Sequence, residues 1–409
     1  MTQQSKMPRQ LASFRQLMTV AIATRLVVDT KTQFFNPFLA TVAAGVGLDV
    51  ITLGRLVSLR SAMGLTAPIF GALADRNGYR RIMRLGLLLA MVGTLLIGLS
   101  SGPWLLIPGM ILSGLGLSSF VPTLQAYVSA RLPYERRAQG IGILEYAWAL
   151  AGIVGLSLMG LLIEAQGWRA PFFVMAAGMA LGWVAFGFMP SAREDGAGKR
   201  LEPVLTLSTA NLPQRVRAFF RLESNNRSTY GLILANAFLF FAQFHILIIH
   251  GGWLQAEYGL TPALLGTIAL IQGVADLAGS VLVSLITDRV GKRRSTLAGM
   301  IGVFVIYAAL PLFNVALLPV VVALALMRFF FEFSIVSNIS LISEQVPAQR
   351  GKVMTLSAAF TLTASTLAGL TGPWAYTEFG VMGLGPVAAL CVGISTVLVV
   401  TLVKEKNEE

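Results

Sequence analysis

The sequence predicts an all-α membrane protein of twelve transmembrane helices, built as two pseudo-symmetric six-helix bundles, and three observations carry that prediction. First, 55% of the 409 residues are hydrophobic and only 12% are charged, against roughly a quarter charged in soluble domains, and mean hydropathy is +0.73. Too few polar groups remain to cover a water-facing surface. Second, apolar stretches long enough to cross about 30 Å of hydrocarbon recur along the whole chain. Third, a charged phrase occurs twice, as GALADRNGYRRIM at 71–83 and SLITDRVGKRRST at 284–296. Asp75, Arg76, Gly78, Arg80 and Arg81 find Asp288, Arg289, Gly291, Arg293 and Arg294 at a constant offset of 213. Five matched positions at half the chain length make the chain two copies of one unit.

The first six spans read at 16–44, 50–74, 82–101, 104–130, 138–164 and 170–190, and the second six at 229–256, 261–287, 296–314, 317–344, 353–378 and 381–403. The domain organisation is therefore an N-terminal half, 1–190, a linker, 191–228, and a C-terminal half, 229–409. The linker carries Arg193, Glu194, Asp195, Lys199 and Arg200, then the basic amphipathic run Gln214-Arg-Val-Arg-Ala-Phe-Phe-Arg221. That run reads as a helix lying on the membrane surface; a plain solvated loop is the alternative.

A net charge of +12 would suggest nucleic acid in a soluble protein, but no aromatic–basic or helix-turn-helix motif accompanies it. The basic residues instead follow the membrane. With both termini and loops 2–3, 4–5, 6–7, 8–9 and 10–11 on one side, the opposite loops hold only Arg169, while Arg25, Lys31, Arg55, Arg60 and Arg328 fall within or at the edge of spans. The basic side is predicted to be cytoplasmic, which makes this a multi-pass protein of the cell inner or plasma membrane with both termini inside. Its first apolar stretch is long, charged and without a small-residue cleavage site, unlike a signal peptide. Cys391 is the one cysteine, so an internal disulfide and a thiolate metal cluster are both excluded.

Twelve spans as six plus six, with Gly71-x-x-x-Asp-Arg-x-Gly-x-Arg-Arg81 between spans two and three and a second copy between eight and nine, resemble the major facilitator superfamily over almost the whole chain. Leu132-Pro-Tyr-Glu-Arg-Arg137 and Val346-Pro-Ala-Gln-Arg-Gly351 repeat likewise, and Gly142-Ile-Leu-Glu-Tyr-Ala-Trp148 with Gly167-Trp-Arg-Ala-Pro-Phe172 is similar to bacterial permeases of the efflux type. The resemblance implies that Gly71, Asp75, Arg76, Gly78, Arg80 and Arg81, with Asp288, Arg289, Gly291, Arg293 and Arg294, are gating elements rather than solute ligands. Physically, Gly71 is expected to allow close helix approach, and Asp75 to accept from a neighbouring helix N-terminus. Two features depart from the drug–proton antiporter pattern. Met110-Ile-Leu-Ser-Gly114 stands where the fourth span usually carries Arg-x-x-Gln-Gly, and Ala151-Gly-Ile-Val-Gly155 lacks the proline of the fifth.

Charge inside a bilayer costs several kcal/mol unless paired or hydrated, so such residues are the candidates for chemistry. Arg25, Asp29, Gln33 and Asn36 form a polar stripe on the first span. At 1.5 Å per residue Asp29 lies about 21 Å in, Arg60 about 22 Å, Glu145 about 12 Å and Asp276 about 18 Å; Asp29 and Arg60 are at a depth where they could meet. Arg328 and Glu332 stand one turn apart on the tenth span. Glu145 has no basic neighbour on its own helix, and Asp276 is similarly isolated, so these two with Asp29 are the candidates for carrying a proton. Arg25, Asp29, Gln33, Asn36, Arg60, Glu145, Trp148, Asn236, Gln243, Arg328 and Glu332 are the candidate solute contacts. The competing reading is that Arg25–Asp29 and Arg328–Glu332 neutralise each other within their helices, that Trp148 and His245 pack, and that His250 is an interface residue.

No phosphate-cradling Gly-rich loop is present, the two histidines and one cysteine supply no metal site, and no nucleophile has an assigned base. An enzyme and a cofactor are therefore not expected. The expectation is a monomeric secondary transporter that moves a small organic, anionic or amphipathic, solute by alternating access, as proton-coupled export by antiport. Uptake or uniport of a sugar, organic acid or lysolipid stays open, as does a non-transporting sensor of the same fold.

Overall fold

The computed structural model describes residues 7–129, 131, 137–189, 222, 225–346 and 349–405. The linker helix expected at 214–221 lies outside them. Among the described residues every regular element is helical. In chain order these are α1 (Met7–Gln33), α2 (Phe35–Val46), α3 (Val50–Ala62), α4 (Ala67–Asn77), α5 (Tyr79–Leu99), α6 (Pro103–Ser129), α7 (Arg137–Leu150), α8 (Leu156–Gln166), α9 (Ala170–Gly187), α10 (Asn226–Leu247), α11 (His250–Tyr258), α12 (Pro262–Val290), α13 (Lys292–Phe313), α14 (Leu317–Glu344), α15 (Arg350–Phe379) and α16 (Val381–Leu402). Among the described residues eleven helical runs are long and apolar enough to cross a membrane, and α2 is a shorter apolar helix.

Four expected spans are interrupted, two of them at prolines. Pro37 has no N–H and its ring crowds the carbonyl of Gln33, so the first span breaks at Phe34, and Phe38 leaves helical geometry at φ −112°. Pro68 does the same to the carbonyl of Gly64, and a 3₁₀ turn, Met63–Thr66, joins α3 to α4. The fifth span passes through a π turn at Ala151–Gly155 between α7 and α8. The seventh breaks at Ile248 and Ile249, just before Gly251, whose missing Cβ lets α11 lie against the Pro37 carbonyl. Outside the spans, Asp49 caps α3, accepting from the Thr52 N–H at 2.8 Å and the Thr52 hydroxyl at 2.6 Å. The hydroxyl first and the N–H second hold its carboxyl below the usual carboxylate range.

Two compact units form: Met1–Phe34 with Met63–Thr206, and Phe35–Ala62 with Leu207–Glu409. This cut differs from the halves read in the sequence at one place, because α2 and α3 belong with the second unit. The reason is packing: Gly54 on α3 lies against Pro373, Gly369 on α15 lies against Ser58, and Gly252 lies against Ala40. Within the first unit α5 and α6 approach through Gly93 and Gly116, where a Cβ would strike the backbone of Ser113 and of Ala90. Gly299 and Gly279 serve α14 in the same way in the second, against Ser334 and the Phe329 carbonyl.

Candidate functional site

In the first unit the buried charge is on α1. Arg25 Nε donates to both oxygens of Asp29, at 3.0 and 2.9 Å, with the two side chains 5% and 2% exposed. The i, i+4 spacing places the two groups on one face, and the low dielectric strengthens the bond. Lys31, which sequence reasoning set aside, is as deeply buried and its Nζ donates to the Ser113 carbonyl on α6 at 3.2 Å. Gln33 Nε2 donates to the Trp148 carbonyl on α7 at 2.9 Å, so Trp148 takes part in that bond through its backbone. Asn36 falls beyond the break at Phe34, and the expected stripe on α1 ends at Gln33. Glu145 is on α7; its side chain lies outside the described set.

The second unit holds the larger cluster. Arg328 on α14 donates through Nη2 to Oδ2 of Asp276 on α12. The sequence left Asp276 isolated and gave an Arg328–Glu332 pair only as the competing reading; the α12–α14 contact joins Arg328 to Asp276, and Glu332, one turn on, adds its field to Arg328. The pair is not saturated. Asp276 Oδ1 and Arg328 Nε are buried without hydrogen-bond partners, and so is Gln272 Nε2, one turn before Asp276.

Tyr307 on α13 donates its hydroxyl to Gln243 Oε1 at 2.6 Å, leaving Gln243 Nε2 without an acceptor. Tyr307 and His250 both lie within electrostatic reach of Arg328. Asn236 Nδ2 donates to Ser357 and Thr361 on α15, at 3.2 and 3.0 Å, and its Oδ1 has no donor. Asn236 and Gln243, candidate solute contacts from the sequence, are both buried. His245 has Nδ1 3.0 Å from the Thr371 hydroxyl and Nε2 3.1 Å from the Gly383 carbonyl, the saturation of a packing residue. Each orphaned buried group costs about 1–3 kcal/mol. Asp276 Oδ1, Arg328 Nε, Gln272 Nε2 and Gln243 Nε2 are four such groups in the second unit. On α3, Arg60 is buried with its guanidinium 5.0 Å from the centroid of the Phe35 ring.

The repeated loops have matching construction. Gly78 and Gly291 link α4 to α5 and α12 to α13 at positive φ, with their N–H groups bonded to the Ala74 and Thr287 carbonyls at 2.8 and 2.9 Å. Arg80 donates to the Met189 carbonyl beyond α9 at 2.5 Å, and Arg293 to the Val400 carbonyl in α16 at 2.9 Å. Each arginine thus meets the negative end of the helix that closes its own unit. Arg76, Arg81, Arg289 and Arg294 are exposed, and the side chains of Asp75 and Asp288 lie outside the described set. Gly71 does not serve close packing here, because a Cβ on it would meet nothing within 4 Å. Sequence reasoning missed Glu405, whose carboxylate accepts from the N–H groups of Lys292 and Arg293 at 2.9 and 3.2 Å and caps α13. An acid between two lysines just after the last span was its only signal.

The sequence profile of the Major Facilitator Superfamily matches residues 21–250 and 232–409. The chain belongs to the major facilitator superfamily. An uncharacterized MFS-type transporter, YwfA of Bacillus subtilis strain 168, is 26% identical over 376 residues, covering 90% of this chain and 88% of the relative. A multi-drug resistance efflux pump PmrA homolog of Lactococcus lactis subsp. lactis strain IL1403 is 24% identical over 392 residues, covering 92% and 90%. The crystal structure of a D-xylose-proton symporter superposes with a TM-score of 0.74 at 15% identity, covering 96% of this chain and 99% of the symporter. Superfamily membership and the apolar span-length helices make this chain a multi-pass membrane transporter.

Proposed function

We propose that this superfamily transporter exports a small amphipathic solute in exchange for protons, with Asp276 as the coupling acid and Arg328 as its counter-ion. The observation that carries the reading is the half-used carboxylate: Arg328 occupies Oδ2, while buried Oδ1 has no donor. A proton and a donor group on a solute would compete for that oxygen, which is the linkage antiport requires. Gln243, Gln272 and Tyr307 supply further polar groups beside it, within the apolar walls of α10, α12 and α13. The efflux pump relative supports the outward direction. Asp29, held at both oxygens by Arg25, is the second acid in this scheme, and Glu145 the third. The two repeated loops gate the basic, cytoplasmic side, and the protein acts as a monomer in the cell membrane.

A second reading follows from the same pair. A solute anion that displaced Asp276 from Arg328 would leave an unpaired buried acid that takes up a proton, so solute and proton would travel together, as in uptake.

The test is proton flux in proteoliposomes holding an internal pH dye, challenged with drugs, sugars, organic anions and lysolipids. Export by antiport gives proton movement opposite to the solute, lost in Asp276→Asn. Proton and solute moving in the same direction would establish the second reading. Loss in Glu145→Gln but not in Asp276→Asn moves the coupling acid to Glu145. Radiolabelled solute that moves without a pH change, equally in wild type and both variants, sinks the coupling hypothesis.

A further inference from the structure

Arg84 stands one turn beyond Arg80 on α5 and is a cation with no ion pair among the described residues. Its Cζ lies 3.9 Å from the centroid of the Trp183 ring on α9, and it packs beside Gly187, where a Cβ would come 3.5 Å from Cζ. The Nε is closed off from solvent with no acceptor, and no ion pair reaches Arg84 among the described residues. Six residues beyond Gly78, it is about 9 Å along the helix axis from the loop, near the boundary between headgroups and acyl chains. A cation at that depth is costly unless an acceptor comes to it. Leu85, Leu88, Leu181, Val184 and Phe188 around it are exposed and apolar, so the neighbouring surface suits lipid.

The repeat separates this pair from the common scaffold. Arg80 and its counterpart Arg293 make the same kind of carbonyl bond in both units. At the position matching Arg84 the second half carries Leu297, and α16, the last helix of that half, contains no tryptophan. The Arg84–Trp183 pair is therefore an addition to one half, and not something the repeated unit needs in order to fold.

We propose that Arg84 and Trp183 form a site for an anionic phospholipid in the leaflet on the basic side of the protein. The indole face holds the guanidinium flat, and its terminal nitrogens present a planar fork to the headgroup phosphate. Exposed Arg81, three residues earlier, adds a second positive charge, and the acyl chains lie over Leu181 and Phe188. Basic recesses between spans on this side of a membrane suit such headgroups.

Purified full-length protein in neutral detergent is titrated with phosphatidylglycerol, phosphatidylcholine or inorganic phosphate, and bound molecules are counted by native mass spectrometry. Wild type is expected to retain phosphatidylglycerol in preference to phosphatidylcholine. Arg84→Gln should weaken the anionic lipid roughly five-fold, the size expected for one basic side chain at an anionic surface. Trp183→Leu should weaken it while leaving the charge in place. Equal retention of phosphatidylglycerol by wild type and Arg84→Gln overturns the site. Saturation by inorganic phosphate at the same concentration overturns the lipid assignment. If Arg84→Gln does not fold, Trp183→Leu decides, and undiminished binding there also overturns the site.

Discussion

Gly78 and Gly291 stand 213 positions apart and hold nearly the same backbone shape, φ +91° with ψ 137° and φ +96° with ψ 148°. Each ends one helix and begins the next within a single residue. That region of backbone space is closed to residues with a Cβ except at a cost of about 1–3 kcal/mol. The glycine of the repeated phrase is there for the turn, and the flanking arginines are aimed by it.

Gly78→Ala and Gly291→Ala should therefore each destabilise the protein by about 1–3 kcal/mol, read as a lowered midpoint of thermal unfolding in detergent. Gly71→Ala is the contrast, since it lies inside α4 in open space. It should be neutral or stabilising by up to about 1 kcal/mol. A Gly71 variant as damaged as the other two would contradict this account of the motif.

Asp276→Asn strands the Arg328 charge in a buried position, and loss of one partner of such a pair typically costs about 3–5 kcal/mol. The double variant Asp276→Asn/Arg328→Gln should recover much of that stability while transport stays abolished. A double-mutant cycle on unfolding midpoints gives the coupling energy; additive losses would mean that the two side chains do not act as a pair.

Tyr307→Phe removes the donor to Gln243 and leaves a buried amide oxygen unsatisfied, at a cost of about 1–3 kcal/mol. Gln243→Leu in the same background should restore part of it, because the orphaned amide disappears as well. Thermal unfolding of the single and double variants reads the difference.

Glu405→Gln keeps the shape of the α13 cap and removes its charge, an effect of about 0.3–1 kcal/mol at a helix N-terminus. Hydrogen exchange at the amides of Lys292 and Arg293 should rise in this variant, and rise further in Glu405→Ala. Unchanged protection in both would rule out the cap.

The superfamily membership, the twelve-span count and the loop motif were legible in the sequence because they depend on local quantities. Apolar run length against bilayer thickness decides the spans, and an identical phrase at a fixed offset reports a repeat. Arg25–Asp29 was legible too, since a four-residue spacing fixes its own geometry within one helix. The break at Phe34 escaped although Pro37 was visible, because hydropathy averages over a window and does not register one missing N–H.

Arg328 was the case where local reading did not reach the ion-pair partner. Glu332 is four residues away and Asp276 is fifty-two away, and only the packing of α12 on α14 brings the distant acid to the guanidinium. Tyr307 with Gln243, Glu405 with the start of α13, and Arg84 with Trp183 are likewise joined across helices. The sequence by itself determined that this chain crosses a membrane twelve times as a doubled unit with a repeated charged loop, because hydropathy and periodicity act over a few residues and an identical phrase shows in the chain itself. Which buried charges meet, which polar atoms are left without partners, and where α2 and α3 pack were decided only by tertiary structure, because those relations depend on helix contacts between residues tens to hundreds of positions apart.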